Sequence, residues 1–166
     1  NAGDGDMSGL ELEARLPLED LGLKQLTLWS NFTAVTTQLT SRQTGEKRRF
    51  LDQPDRIANL GLDWFVPQLK TTLGASLNYN SGYRQQYKQA DGTTQINEVA
   101  AMTRLDLSAR AQLTKQTSLN ISVLNALGRK EQRVDETRSA TGTSSGVTRT
   151  TEPTYRSLYV RLSHLF

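Results

Sequence analysis

The 166-residue sequence predicts an all-β fold: an antiparallel, up-and-down transmembrane β-barrel segment of about seven strands, with short periplasmic turns and long outer loops. Three observations carry this. Apolar and polar residues alternate with period two along most of the chain, the pattern of strands rather than helices. Several alternating segments reach the roughly 9–11 residues that a tilted spanning strand needs, against about 5–6 for a typical globular strand. The connections alternate in length, short then long.

The first segment, Gly9 to Leu16, puts Leu10, Leu12, Ala14 and Leu16 on one face and Glu11, Glu13 and Arg15 on the other. The second, 25–38, sets Leu26, Leu28, Ser30, Phe32 and Ala34 against Thr27, Trp29, Asn31 and Thr33. The third, 56–66, sets Ala58, Leu60, Leu62, Trp64 and Val66 against Asn59, Gly61, Asp63 and Phe65. The fourth, 70–83, carries Leu73, Ala75, Leu77 and Tyr79 opposite Thr72, Gly74, Ser76 and Asn78. The fifth, 99–113, alternates most clearly, with Leu105, Leu107, Ala109, Ala111 and Leu113 against Arg104, Asp106, Ser108, Arg110 and Gln112. The sixth, 118–125, carries Leu119, Ile121 and Val123. The seventh is the ending "YRSLYVRLSHLF", with Leu158, Val160, Leu162, His164 and Phe166 in one row.

"PLEDLGLK", "PQ" with its neighbours, and "TKQT" make the short connections and read as turns. The long ones are 39–55, 80–98 and 126–154, rich in Gln, Gly, Thr, Ser, Arg and Lys. One of them, "DETRSATGTSSGVTRTTE", reads as a low-complexity loop, and the opening "NAGDGDMSG" also reads as loop.

Alternation alone fits a water-soluble sheet with its apolar face inward. Strand length favours the inverse, apolar face to lipid and polar face to a wet lumen. Charges of both signs on the polar faces (Arg104, Asp106, Arg110) suit a filled lumen. Trp64, Phe65, Tyr79, Tyr83, Tyr155 and Phe166 fall near strand ends, where aromatic girdles sit. Seven strands is an odd number, and a closed bacterial barrel has an even one. The expectation is therefore the C-terminal portion of a larger barrel, spanning 1–166. A small stand-alone outer-membrane barrel with a structural or adhesion role, and a soluble β module, are the alternatives.

Composition narrows the chemistry. Net charge is +3 with the cations spread out, so nucleic acid is not an expected partner. Cysteine is absent, which excludes disulfides and thiol chemistry. His164 is the only histidine, without metal-ligand spacing around it. Glu11, Glu13, Asp63 and Asp106 read as lumen-lining carboxylates rather than an acid–base pair. No phosphate loop or nucleophile motif occurs. No enzyme activity, catalytic residue, metal or cofactor is expected.

Several motifs, in order, resemble the C-terminal part of the β-barrel of TonB-dependent outer-membrane receptors. They are "NAGDGDMSGLELEARL", "DQPDRIANLGLDW", "LNYNSGYRQQ", "LSARAQLTKQTSLNISVLNALGRK" and the final "YVRLSHLF". Gly128 stands where the family usually has Asp, and His164 where an aromatic is commoner. The resemblance implies a barrel of about twenty-two strands. It also implies an N-terminal plug, and uptake of scarce cargo such as iron-siderophores or cobalamin. Implied partners are TonB (through the plug), the remaining strands and plug of the same receptor or another copy, and outer-membrane lipid and lipopolysaccharide. The ending would serve as the barrel-assembly signal, through Leu158, Val160, Leu162 and Phe166. Aromatic and cationic residues of the outer loops are the candidate ligand contacts: Tyr83, Arg84 and Tyr87 in one loop, with Lys88; Arg129 and Arg133 in another, with Lys130, Arg138 and Arg149.

Overall fold

The computed structural model describes residues 3–42 and 44–166; Asn1 and Ala2 of the expected opening loop, and Gln43 of the first long connection, lie outside the described residues. The strands are β1 (Gly3–Pro17), β2 (Leu26–Ser41), β3 (Lys47–Arg48), β4 (Arg56–Val66), β5 (Thr71–Asn80) and β6 (Tyr83–Lys88). They continue as β7 (Thr94–Val99), β8 (Met102–Gln112), β9 (Thr117–Leu124), β10 (Glu131–Arg138), β11 (Ser144–Glu152) and β12 (Ser157–His164). Seven of them form one antiparallel wall in the order β1-β2-β4-β5-β8-β9-β12, with β3 attached to β2. These seven are the seven alternating segments.

The short connections are tight because local bonds close them. Leu18 N–H donates to Leu26 O across the first, and Gly22 takes a left-handed conformation at φ 78°. The second is a single 3-10 turn, Pro67–Leu69, which Pro67 opens. In the third, the Thr114 hydroxyl accepts the N–H groups of Gln116 and Thr117.

The apolar rows of the wall are bare. Leu10 and Leu12 are 55% exposed, Leu60 47%, Leu158 67% and Leu162 66%. Leu39 and Ile96 are the buried hydrophobics among the described residues. Full burial of one such side chain contributes about 1.5–3 kcal/mol, whereas ordering each residue costs roughly 1–2 kcal/mol of backbone entropy. Fully buried apolar side chains alone therefore fall far short of that cost. On β4 the apolar row runs from Ala58 to Val66, about 30 Å of strand. Tilted at the usual angle of roughly 40°, that spans close to the ~25 Å lipid-facing band of membrane barrels. The upper border of the band is level across strands: Leu10 pairs Ala34, Ala34 pairs Arg56, and above them stand Ser8 and Thr36.

The polar rows face the other way and curl inward. A cavity of about 610 Å³ is lined by polar-row residues of six strands, among them Arg15, Thr27, Asp63, Thr72, Arg110 and Asn120. Phe65 lines this cavity too, so it lies on the lumen face and not in the lipid-side girdle expected for it. Trp29 lies on the same polar face over Gly61, where a Cβ would meet its indole at 2.1 Å. Side chains tie the rows together: Asn59 Nδ2 donates to Asn31 Oδ1 (2.6 Å) and Asn78 Nδ2 to Asp106 Oδ2 (2.9 Å). Among the described residues β1 pairs only β2 and β12 pairs only β9, so the wall is an open sheet.

The long connections correct the sequence reading. "DETRSATGTSSGVTRTTE" is not loop: most of it forms the hairpin β10–β11. β6 and β7 form a second hairpin, and the four strands make a separate sheet in the order β11-β10-β7-β6. Their turns share one design: Gln89 N–H donates to Thr93 O and Ser139 N–H to Thr143 O, with Gly92 and Gly142 at positive φ. The opening is not loop either, since Gly3 to Ser8 pair with Ser41 to Thr36. Above the band both faces of a strand are polar, so the alternation that marks strands disappears while the ladder continues.

Candidate functional site

The four-stranded outer sheet carries the aromatic and cationic candidates, and its register sorts them. Tyr83 and Arg133 both stand opposite Val99, on either side of β7, so they share a face. Tyr87 lies on the same face, because strand residues four apart do. Arg84 points to the opposite face. Arg129 lies outside the sheet, at its joint with the wall. The structure thus brings together Tyr83, Tyr87 and Arg133, and separates them from Arg84 and Arg129.

The segment 44–55 packs on the Tyr83 face. The Tyr83 hydroxyl donates to Asp52 Oδ1 at 2.9 Å, and Gln85 Nε2 donates to Phe50 O at 3.0 Å. The Arg48 guanidinium lies 5.6 Å from the centre of the Tyr87 ring. Phe50 N–H donates to Thr37 Oγ1, and its ring sits where a Cβ on Gly5 would be. Arg49 pairs with Asp55. This segment therefore bridges β2 and β6. Burial, then the Asp52 hydrogen bond and charge, push the Tyr83 phenol up to about 12.

Three of the candidate cations are already partnered. Arg133 Nε lies 3.3 Å from Asp135, Arg84 Nε 3.5 Å from Glu98, and Arg138 Nε 2.8 Å from Glu136. The hydrogen bond from Arg138 holds the Glu136 carboxyl below the usual carboxylate range. In the turn of β6–β7, bonds from the Thr93 hydroxyl and N–H do the same for Asp91. Those carboxylates escaped the sequence reading, which weighed the cations of a supposed loop. Arg133–Asp135 and Glu136–Arg138 are two apart, the same-face spacing of a strand, and reading 131–138 as a strand makes both pairs visible.

Asn125 is the residue most clearly missed. It is 4% exposed, at φ 51°, where the wall meets the outer sheet. Its Nδ2 donates to Arg129 O and Thr154 O, its Oδ1 accepts Arg129 N–H, and its own N–H donates to Asp106 Oδ1 at 2.8 Å. The "VLNALGRK" motif contains it, and the bonds explain the residue type: an amide donates and accepts at one position, and Asn tolerates the left-handed backbone.

Elsewhere the wall holds the remaining candidates. Leu158, Val160 and Leu162 form an exposed row on β12, and Phe166 is fully exposed. His164 meets Phe166 edge to face at 5.0 Å, and its Nδ1 lies 2.9 Å from Thr117 Oγ1. Asp63 lies 3.9 Å from Arg15. No cluster of three or more metal-type ligands occurs among the described residues.

A bare apolar row, a polar concave row and an outer sheet of extended hairpins define a membrane-barrel wall. The family model for TonB dependent receptor-like β-barrels matches residues 1–126, and the chain belongs to that family. No curated protein and no solved structure shows a significant match to it.

Proposed function

We propose that this chain forms part of the wall of an outer-membrane receptor that takes up a scarce nutrient, such as an iron-siderophore or cobalamin, by TonB-dependent transport. The bare apolar face, opposed by a polar concave one, carries the reading: lipid covers the first and a plug the second. Residues 1–166 supply the C-terminal barrel portion. In this reading TonB acts through a plug rather than through residues 1–166, and those residues serve as wall and binding surface rather than as a catalyst. Tyr83, Tyr87 and Arg133, on the face of the outer sheet that segment 44–55 partly covers, are the cargo contacts this reading favours, since aromatic and guanidinium groups together suit an anionic chelate. Arg84, on the opposite face of the sheet, and Arg129, at its joint with the wall, stand apart from that group. Leu158, Val160, Leu162 and Phe166 form the terminal strand's assembly signal.

The test is fractionation of cells carrying the full-length gene, followed by an uptake assay with labelled iron-siderophores and cobalamin. Outer-membrane enrichment and loss of one uptake activity on gene deletion support the reading. A protein recovered without detergent in the soluble fraction overturns it.

A further inference from the structure

The segment 44–55 is tied to the wall and to the outer sheet in two different ways. Its two ends join the wall through the backbone: Leu39 and Thr40 of β2 pair Arg48 and Lys47, and Val35 N–H donates to Asp55 O. Between them, among the described residues, it meets the outer sheet through contacts that each need a side chain. The Tyr83 hydroxyl donates to Asp52 (2.9 Å), Gln85 Nε2 to Phe50 O (3.0 Å) and Lys88 N–H to Glu46 Oε2 (3.3 Å), and the Arg48 guanidinium lies over the Tyr87 ring. Scattered contacts of this kind open at lower free energy than a strand ladder does. Two features weaken the seat further. Asp52 is held at φ 57°, in the left-handed region. Gln53 Oε1 is buried without a hydrogen-bond partner, a cost that water removes once the segment lifts. The segment can therefore leave the outer sheet while both its ends stay on the wall.

We propose that Asp52 is a built-in competitor for anionic cargo: the segment 44–55 closes the Tyr83, Tyr87 and Arg133 face, and an anionic group of the cargo opens it by replacing the Asp52 carboxylate. The inference rests on the reading above, that this face binds cargo. The contacts select the cargo's chemistry. A carboxylate oxygen already sits on the Tyr83 hydroxyl, and the Arg133 guanidinium, stabilised first by Asp135, also feels the Asp52 charge. The chain thus fills the site with an anion of its own. A cargo that brings an anionic oxygen restores what the departing carboxylate gave. A neutral cargo without such an oxygen leaves Tyr83 short of its acceptor and Arg133 short of a charge. Asp52 therefore discriminates by a cost imposed on the wrong ligand as well as by contacts offered to the right one. Arg48 leaves with the segment and bares the Tyr87 ring.

The experiment uses the full-length receptor, with ferric tricatecholate and ferric citrate as anionic probes and a ferric trihydroxamate and cobalamin as neutral ones. Spin labels at Leu51→Cys, on the segment, and Thr151→Cys, on the exposed edge strand β11, report the distance between segment and sheet. The anionic chelate that the receptor takes up is expected to lengthen that distance. Asp52→Asn removes the charge and tolerates the same backbone. It is expected to bind that chelate about tenfold more tightly, since a face open one-tenth of the time binds roughly tenfold more weakly than one always open. Asp52→Glu keeps the charge and is expected to bind as the wild type does. A bound anionic chelate with the label distance unchanged overturns the proposal, and so does equal or weaker binding by Asp52→Asn. Uptake confined to the neutral probes overturns the competitor and leaves the transport reading standing. A receptor that neither reaches the outer membrane nor takes up any probe overturns the transport reading itself. If Asp52→Asn fails to fold, the label distances in the receptor with Asp52 intact decide alone.

Discussion

At the scale of single residues, two positions decide what their neighbours do. Gly61 exists to let the Trp29 indole lie flat on the lumen face, since any Cβ there would meet the ring at 2.1 Å. Gly61→Val is expected to cost about 1–3 kcal/mol by overpacking and to move Trp29 toward solvent. Thermal unfolding in detergent and a red shift of the tryptophan emission check this, with Trp64→Phe as background to isolate the signal. Tyr83 is the second. Its phenol is held protonated by burial and by Asp52, up to about 12. A raised folded-state pKa means that the associated stability is complete below the ordinary tyrosine value and fades as pH climbs through the folded one. Absorbance at the phenolate band, compared with Tyr83→Phe, is expected to show one tyrosine titrating last. A Tyr83 that titrates at the ordinary tyrosine value contradicts the packing of 44–55 against β6.

At the scale of elements, the joint between wall and outer sheet is built from interruptions placed side by side. β5 stops at Asn80 and β6 resumes at Tyr83, while β7 stops at Val99 and β8 resumes at Met102. Gly82 takes φ 66° there, with Val99 O 2.2 Å from any Cβ it might carry. Asn125 makes the matching joint between β9 and β10. Asn125→Ala removes its side-chain bonds to Arg129 and Thr154. At roughly 1 kcal/mol for each bond, more where a buried partner is left unsatisfied, about 2–4 kcal/mol of local stability is lost. The expected readout is faster amide exchange and protease cleavage at 126–130, with β8 and β9 unchanged; protection equal to wild type contradicts the role. The sequence carried the wall strands plainly, because one lipid-facing row forces strict alternation on each of them. It concealed β6, β7, β10 and β11, because a strand wet on both faces has no reason to alternate. "SSGVTRTTE" is such a strand, exposed at all nine positions. For the same reason the pairings Arg133–Asp135 and Glu136–Arg138 were hidden, while Asn125 read as the last residue of the sixth strand, with nothing in the alternation to mark its bonds across the joint.

At the scale of the whole molecule, the usual relation of inside to outside is reversed, and substitutions should respond accordingly. Leu60→Arg places a cation in the middle of the β4 apolar row and is expected to cost about 2–4 kcal/mol in bilayer or detergent. Asn59→Lys, one residue away on the polar row, is expected to cost less than half of that. Reversible folding titrations in lipid vesicles measure both. A soluble sheet gives the opposite ranking, since an exposed leucine in water accepts a charge freely.

The pairing register of β5 with β8 passes unchanged through the interruption into β6 with β7: Tyr79 meets Thr103 below it and Tyr83 meets Val99 above. The hairpin above the joint is thus a ladder that grows or shrinks at its tip without disturbing its foot. Adding one residue to each arm beside the turn at 89–93 reverses which face the tip side chains occupy, and adding two restores it. Natural variation in the reach of this hairpin should therefore come in paired steps, leaving the membrane wall to be inherited whole beneath a surface that is free to change height.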